Sequence, residues 1–125
     1  MPILEVEIVT DLGETLKSGL AQQLADAAGD ALGTPRGRTW VRLRALPREQ
    51  YAESRAPLAN DIQPVFVSVL KSRSCGPLEV KDEAARLCDA LALACGRPRE
   101  NIHILYLPDA AGRMAFGGEL VPVLP

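Results

Sequence analysis

Residues 2–9, PILEVEIV, alternate: Leu4, Val6 and Ile8 are apolar, with Glu5 and Glu7 between them. A period of two sends neighbouring side chains to opposite faces, so the run predicts a strand with one buried face. The period then changes. Leu16, Leu20, Leu24, Ala28 and Ala31 recur at spacings of three and four, which predicts an amphipathic helix with one apolar stripe. GTPR at 33–36 ends that helix, because glycine takes the left-handed cap and proline forbids continuation. TWVRLRAL at 39–46 returns to alternation and closes at Pro47.

The second half passes through the same periods. PVFVSVLK at 64–71 is strand-like, and Val80, Ala84, Leu87, Leu91 and Cys95 form a second helical stripe. GRPR at 96–99 repeats the cap, and NIHILYL at 101–107 repeats the second strand before Pro108. From cap proline to closing proline is twelve residues in the first half and ten in the second, so the first carries two extra before its strand. Two tandem βαβ units are expected, 2–46 and 64–121, joined by a polar connector at 47–63 within one domain over 1–125. Each unit makes a right-handed crossover with a parallel strand pair. Joined in one sheet, they predict an α+β fold: a four-stranded mixed sheet with both helices on one face. The third strand alternates Val65, Val67 and Val69 with Phe66 and Leu70, so both of its faces favour burial. Each such side chain gains about 1.5–3 kcal/mol on burial, and the face without helices is expected to be a subunit interface.

Composition narrows the class. A chain of 125 residues buries a core without staples, and 47% hydrophobic, 24% charged and a net charge of −2 describe an ordinary soluble globular protein. No apolar run approaches the roughly 18–20 residues that span a bilayer, and Glu5 and Glu7 interrupt the first apolar stretch. No membrane partner and a cytoplasmic location are expected. Cys75, Cys88 and Cys95 are an odd count without a CxxC pair; Cys88 and Cys95 lie on one helix face and read as small buried hydrophobes. His103 is the only histidine and no zinc-ligand spacing occurs, so no metal and no cofactor are expected. Arg36, Arg38, Arg42, Arg44 and Arg48 crowd together, but the net charge of −2 and a single tryptophan give nucleic-acid binding little support. Alternation accounts for Arg42 and Arg44 as one strand face opposite Val41 and Leu43; Arg36 and Arg38 are loop charges.

Pro2 carries the candidate chemistry. Proline has a basic nitrogen only at a chain terminus, so removal of Met1 would expose a secondary amine. The opening proline, the βαβ doublet and GRMAFGGELV at 112–121 resemble the tautomerase superfamily, and most nearly two fused units of the 4-oxalocrotonate tautomerase type. The resemblance implies a homotrimer with one site per chain, a small enol or 2-oxo carboxylate as substrate, and no cofactor. It implies Pro2 as general base and acid. An α-amino group starts near ~8; desolvation and nearby positive charge lower it toward neutrality, where proton transfer is efficient. SVLKSRS at 68–74 resembles the turn that supplies a substrate-binding arginine, which gives Arg73. WVRLR at 40–44 resembles the strand that supplies a second, which gives Arg42, with His103 as its counterpart in the other half. Phe116, with Met114 as the alternative, takes the place of the aromatic wall, and Trp40 is core or pocket wall. The first half departs from the pattern, with Leu12 in TDLGE where the family turn carries arginine. Met114, Ala115 and Phe116 stand where a hydrating dehalogenase places an acidic group, so plain keto–enol tautomerisation asks for the fewest parts. The alternatives are a decarboxylase or hydrating dehalogenase of the same superfamily, and a non-catalytic trimeric binding protein if Met1 is retained.

Overall fold

Alternating runs and apolar stripes become strands and helices in the order expected. The computed structural model describes residues 2–59 and 62–124. The strands are β1 (Ile3–Thr10), β2 (Trp40–Pro47), β3 (Val65–Leu70) and β4 (Ile102–Tyr106), followed by the short pair β5 (Ala115–Phe116) and β6 (Glu119–Leu120). The helices are α1 (Leu20–Leu32) and α2 (Pro77–Cys95). The main sheet has the order β2-β1-β3-β4. β1 runs parallel to β2 and antiparallel to β3, and β3 runs parallel to β4, so the two βαβ units meet along one antiparallel seam.

Both helices lie on one face of the sheet. Leu4, Val6 and Ile8 of β1 and Val65, Val67 and Val69 of β3 pack against Leu20, Leu24 and Ala28 of α1 and Leu87 and Leu91 of α2. Each helix ends on a left-handed glycine, Gly33 at φ 66° and Gly96 at φ 67°, as the two Gly-x-Pro-Arg phrases require. Pro77 opens α2 at a position where its missing N–H costs nothing.

Two expectations change. The first helix starts at Leu20 rather than at Leu16, because Gly19 in the left-handed region (φ 83°) breaks the run. Leu16 packs half-buried against the core from the loop. In α2 the buried stripe includes Glu83 beside Leu87 and Leu91, while Val80, Ala84 and Cys95 are half-buried. Cys88 and Cys95 likewise touch the core without being enclosed by it.

The opposite face of the sheet has no cover from helices. Its rows follow from the register: Trp40, Ile3 and Leu70; then Arg42, Glu5, Ser68 and Leu105; then Arg44, Glu7, Phe66 and His103. One half of this face is charged and the other apolar or aromatic. The connector is tied down by Arg48, whose guanidinium donates to the carbonyls of Ile62 (2.9 Å), Leu58 (3.4 Å) and Ala59. Residues 60 and 61 of the connector lie outside the described residues. Among the described residues no helix is long and apolar enough to cross a membrane.

Candidate active site

The sheet end where β1 begins gathers most of the predicted site. Pro2 is buried, and its carbonyl accepts a hydrogen bond from the Trp40 N–H at 3.0 Å, which extends the β1–β2 ladder by one step. Met1, on whose removal the catalytic reading depends, lies outside the described residues. Ile3 stands between Trp40 on β2 and Leu70 on β3.

Trp40 and Phe116 meet here although 76 positions separate them in sequence. Their rings sit edge to face, 5.6 Å apart at 86°, a geometry favoured by the aromatic quadrupole. The Trp40 indole N–H donates to the Gly37 carbonyl at 3.1 Å, which fixes the ring. Phe116 comes from the β5–β6 hairpin, whose turn uses Gly117 and Gly118 at φ 57° and 87°. Two consecutive positive φ values are what a tight two-residue hairpin needs. Backbone bonds from Ala110 to Lys71 (2.8 Å) and from Ala111 to Ser72 (3.1 Å) anchor the segment before the hairpin to the end of β3.

Arg73 lies in the bend between β3 and α2, three residues beyond Leu70, and is therefore at the same sheet end as Pro2. It is exposed and takes no ion-pair partner among the described residues. The Ser74 N–H donates to Asp109 at 2.9 Å, which pins this bend to the loop after β4. A shallow cavity of about 160 Å³ opens beside it, lined by Leu70, Pro108, Asp109, Ala110, Arg113 and Met114.

Arg42 and His103 are placed differently. Arg42 is exposed on the uncovered face, with Nη1 2.6 Å from Glu5 Oε1. Arg44 beside it reaches Glu5 at 3.7 Å and Glu7 at 3.4 Å. His103 lies in the Glu7 row, five residues along β1 from Pro2, and its ring packs on Phe66 at 5.5 Å. Within one chain, Pro2, Trp40, Phe116 and Arg73 share a sheet end; Arg42 lies one row further on, and His103 is apart.

The structure adds a cluster that sequence reasoning missed. Lys71 Nζ lies 2.9 and 3.2 Å from the two carboxylate oxygens of Glu83. The Tyr106 hydroxyl donates to Glu83 Oε1 at 2.9 Å, and Cys75 Sγ lies 4.0 Å from Oε2. Glu83 is only 6% exposed. Burial, then the hydrogen bond to Glu83 and its negative charge, pushes the Tyr106 phenol well above its usual value. A signal existed: Glu83 falls three after Val80 and four before Leu87, on the apolar stripe itself. Among the described residues, no three His, Cys, Asp or Glu side chains converge as a metal site would require.

No protein-family model and no curated protein matches the chain. Solved structures do. Pt0534 inactivated by 2-oxo-3-pentynoate aligns with a TM-score of 0.72 at 18% identity, over 95% of this chain and 94% of that one. A fused 4-OT solved as an asymmetric trimer aligns with a TM-score of 0.71 at 18% identity, over 94% and 95%. The macrophage migration inhibitory factor of Trichinella spiralis aligns with a TM-score of 0.69 at 15% identity, over 94% and 98%. The likeness spans nearly the whole of each chain, and it establishes the tautomerase-like α+β fold.

Proposed function

We propose that this chain belongs to the tautomerase superfamily and is a cofactor-independent isomerase of small enol or 2-oxo carboxylates. It acts as a homotrimer after removal of Met1. The observation that carries this reading is the position of Pro2: buried at the start of central strand β1, beside the Trp40–Phe116 pair and at the same sheet end as Arg73. With its amine free, Pro2 accepts a proton from one substrate atom and returns it to another. Carbon and oxygen exchange a proton, and nothing else is consumed. The aromatic pair helps keep water away from the amine, which disfavours its charged form. Arg73, exposed in its bend, offers the planar fork that suits a carboxylate. Arg42 of a neighbouring chain completes the grip on the developing enolate, exchanging Glu5 for the substrate. Three unpaired cysteines suit a reducing, cytoplasmic setting.

The test joins intact mass to turnover on one sample. The expected protein lacks methionine and ketonises phenylenolpyruvate, and Pro2→Ala lowers kcat by about 100-fold or more. A protein that keeps methionine and turns nothing over is a binding protein, and this reading then fails.

A further inference from the structure

We infer that Glu83 is a positioning residue of this site: from α2 it holds both ends of the bend between β3 and α2, and so sets where Arg73 stands. The inference rests on the proposed reading of Arg73 as a substrate-binding residue. Residues 71–76 form the bend, and most of their backbone is pinned. The carbonyls of Lys71 and Ser72 accept from the N–H groups of Ala110 and Ala111, and the Ser74 N–H donates to Asp109. The Gly76 carbonyl accepts from the Val80 N–H at 2.9 Å in the first turn of α2. The side chains at the two ends meet on one carboxylate. Lys71 Nζ lies 2.9 Å from Glu83 Oε2 at the entry, and Cys75 Sγ lies 4.0 Å from the same oxygen at the exit. Arg73, between them, is exposed and makes no side-chain hydrogen bond or ion pair among the described residues.

The chemistry of Glu83 explains why a carboxylate does this better than an apolar side chain. On the apolar stripe of α2 it is buried, where an unpaired charge is costly. Its oxygens are satisfied by Lys71 from the end of β3 and by the Tyr106 hydroxyl from β4, at 2.9 Å. One side chain thus ties α2 to two strands and to both ends of the bend. Replacing a buried ion pair by apolar residues is often neutral or stabilising, so stability alone gives little reason for it. Direction is what it adds. Apolar surfaces slide over one another at little cost, whereas a donor and an acceptor must meet within about 0.5 Å. A bend fixed in advance leaves only the Arg73 side chain to be ordered when a ligand binds. Misplacement of a binding group by about 1 Å can cost a hundredfold in rate.

The experiment is a double-mutant cycle on steady-state ketonisation of phenylenolpyruvate, with circular dichroism to verify folding. Its members are the wild type, Glu83→Gln, Arg73→Ala and Arg73→Ala/Glu83→Gln. Arg73→Ala is expected to raise KM about tenfold to hundredfold, the worth of one charged hydrogen bond. Glu83→Gln is expected to raise KM about tenfold where Arg73 is present, with a smaller change in kcat. Where Arg73 is already alanine, the same substitution is expected to change KM less than about twofold, because the residue it positions is gone. A merely structural Glu83 changes KM by the same factor in both backgrounds, and that result overturns the inference while Arg73 and Pro2 stand. An unchanged KM in folded Glu83→Gln overturns it equally. If Glu83→Gln does not fold, Lys71→Met/Glu83→Leu, which removes both members of the pair, takes its place in the cycle with the same outcomes. An unchanged KM in Arg73→Ala removes the reading of Arg73, a wild type without turnover removes that of Pro2, and in either case the positioning role falls too.

Discussion

Tyr106 is where a single buried carboxylate is most easily measured from outside. Its phenol is half-buried and donates to Glu83, so in the folded chain it holds its proton more tightly than in the unfolded one. The unfolded tyrosine ionises first, near pH ~10, while the folded one stays protonated, so the unfolded chain gains stability above that pH. The contribution is complete below pH ~10 and is lost progressively as the pH rises toward the native value. Tyr51 is also raised, by its hydrogen bond to Glu53, so the measurement belongs in a Tyr51→Phe background. There, phenolate absorbance should show Tyr106 titrating only as the protein unfolds or well above ordinary tyrosine. Tyr106→Phe should flatten the alkaline fall in stability and cost about 1.5–3 kcal/mol at neutral pH, the worth of a hydrogen bond to a charged acceptor. A Tyr106 that titrates like a free phenol would remove Glu83 from its surroundings.

The elements carry stability in two different currencies, conformation and burial. Gly96 ends α2 at φ 67°, and an added Cβ there would meet nothing within 4 Å. Gly96→Ala therefore tests backbone conformation alone and should cost about 1–2 kcal/mol. Leu87→Ala empties a fully buried position and should cost about 2–5 kcal/mol. Urea midpoints at one fixed protein concentration measure both, with the slope unchanged. These elements are also what could be read in advance. Periods of two and of three to four, closed by Gly-x-Pro-Arg, placed four strands and two helices within a few residues. The miss at Leu16 has a local cause, since an apolar residue at helical spacing packs as well from a loop as from a helix. The site was less legible. The position of Pro2 at a strand start could be read, the family likeness singled out Phe116, and Trp40 was read as core or pocket wall. Their contact could not be read, because no periodicity relates residues 40 and 116. No periodicity relates Lys71 at the end of β3 to Glu83 on α2 either, although Glu83 sits on the apolar stripe of its helix.

At the scale of the whole molecule the uncovered sheet face is the open question that the fold sets. Across it, the pairs of Arg42 with Glu5 and of Arg44 with Glu7 are exposed, and such pairs contribute about 0–1 kcal/mol each. They do not account for the apolar half, where Leu105 is 62% exposed and lies in one row with Ser68. The edges β2 and β4 also carry unpaired backbone groups, a standing invitation to another strand. A second and third copy would meet both demands, as the homotrimer proposed above requires. Sedimentation equilibrium should accordingly give the mass of three chains. Leu105→Asp places a charge in the apolar half without touching the helix-facing core, so it should yield a single folded chain with unchanged circular dichroism. Turnover should fall together with assembly if Arg42 reaches the site from a neighbour. A wild type that sediments as one chain would require each chain to complete its own site, with Arg73 as the exposed cation at the sheet end of Pro2.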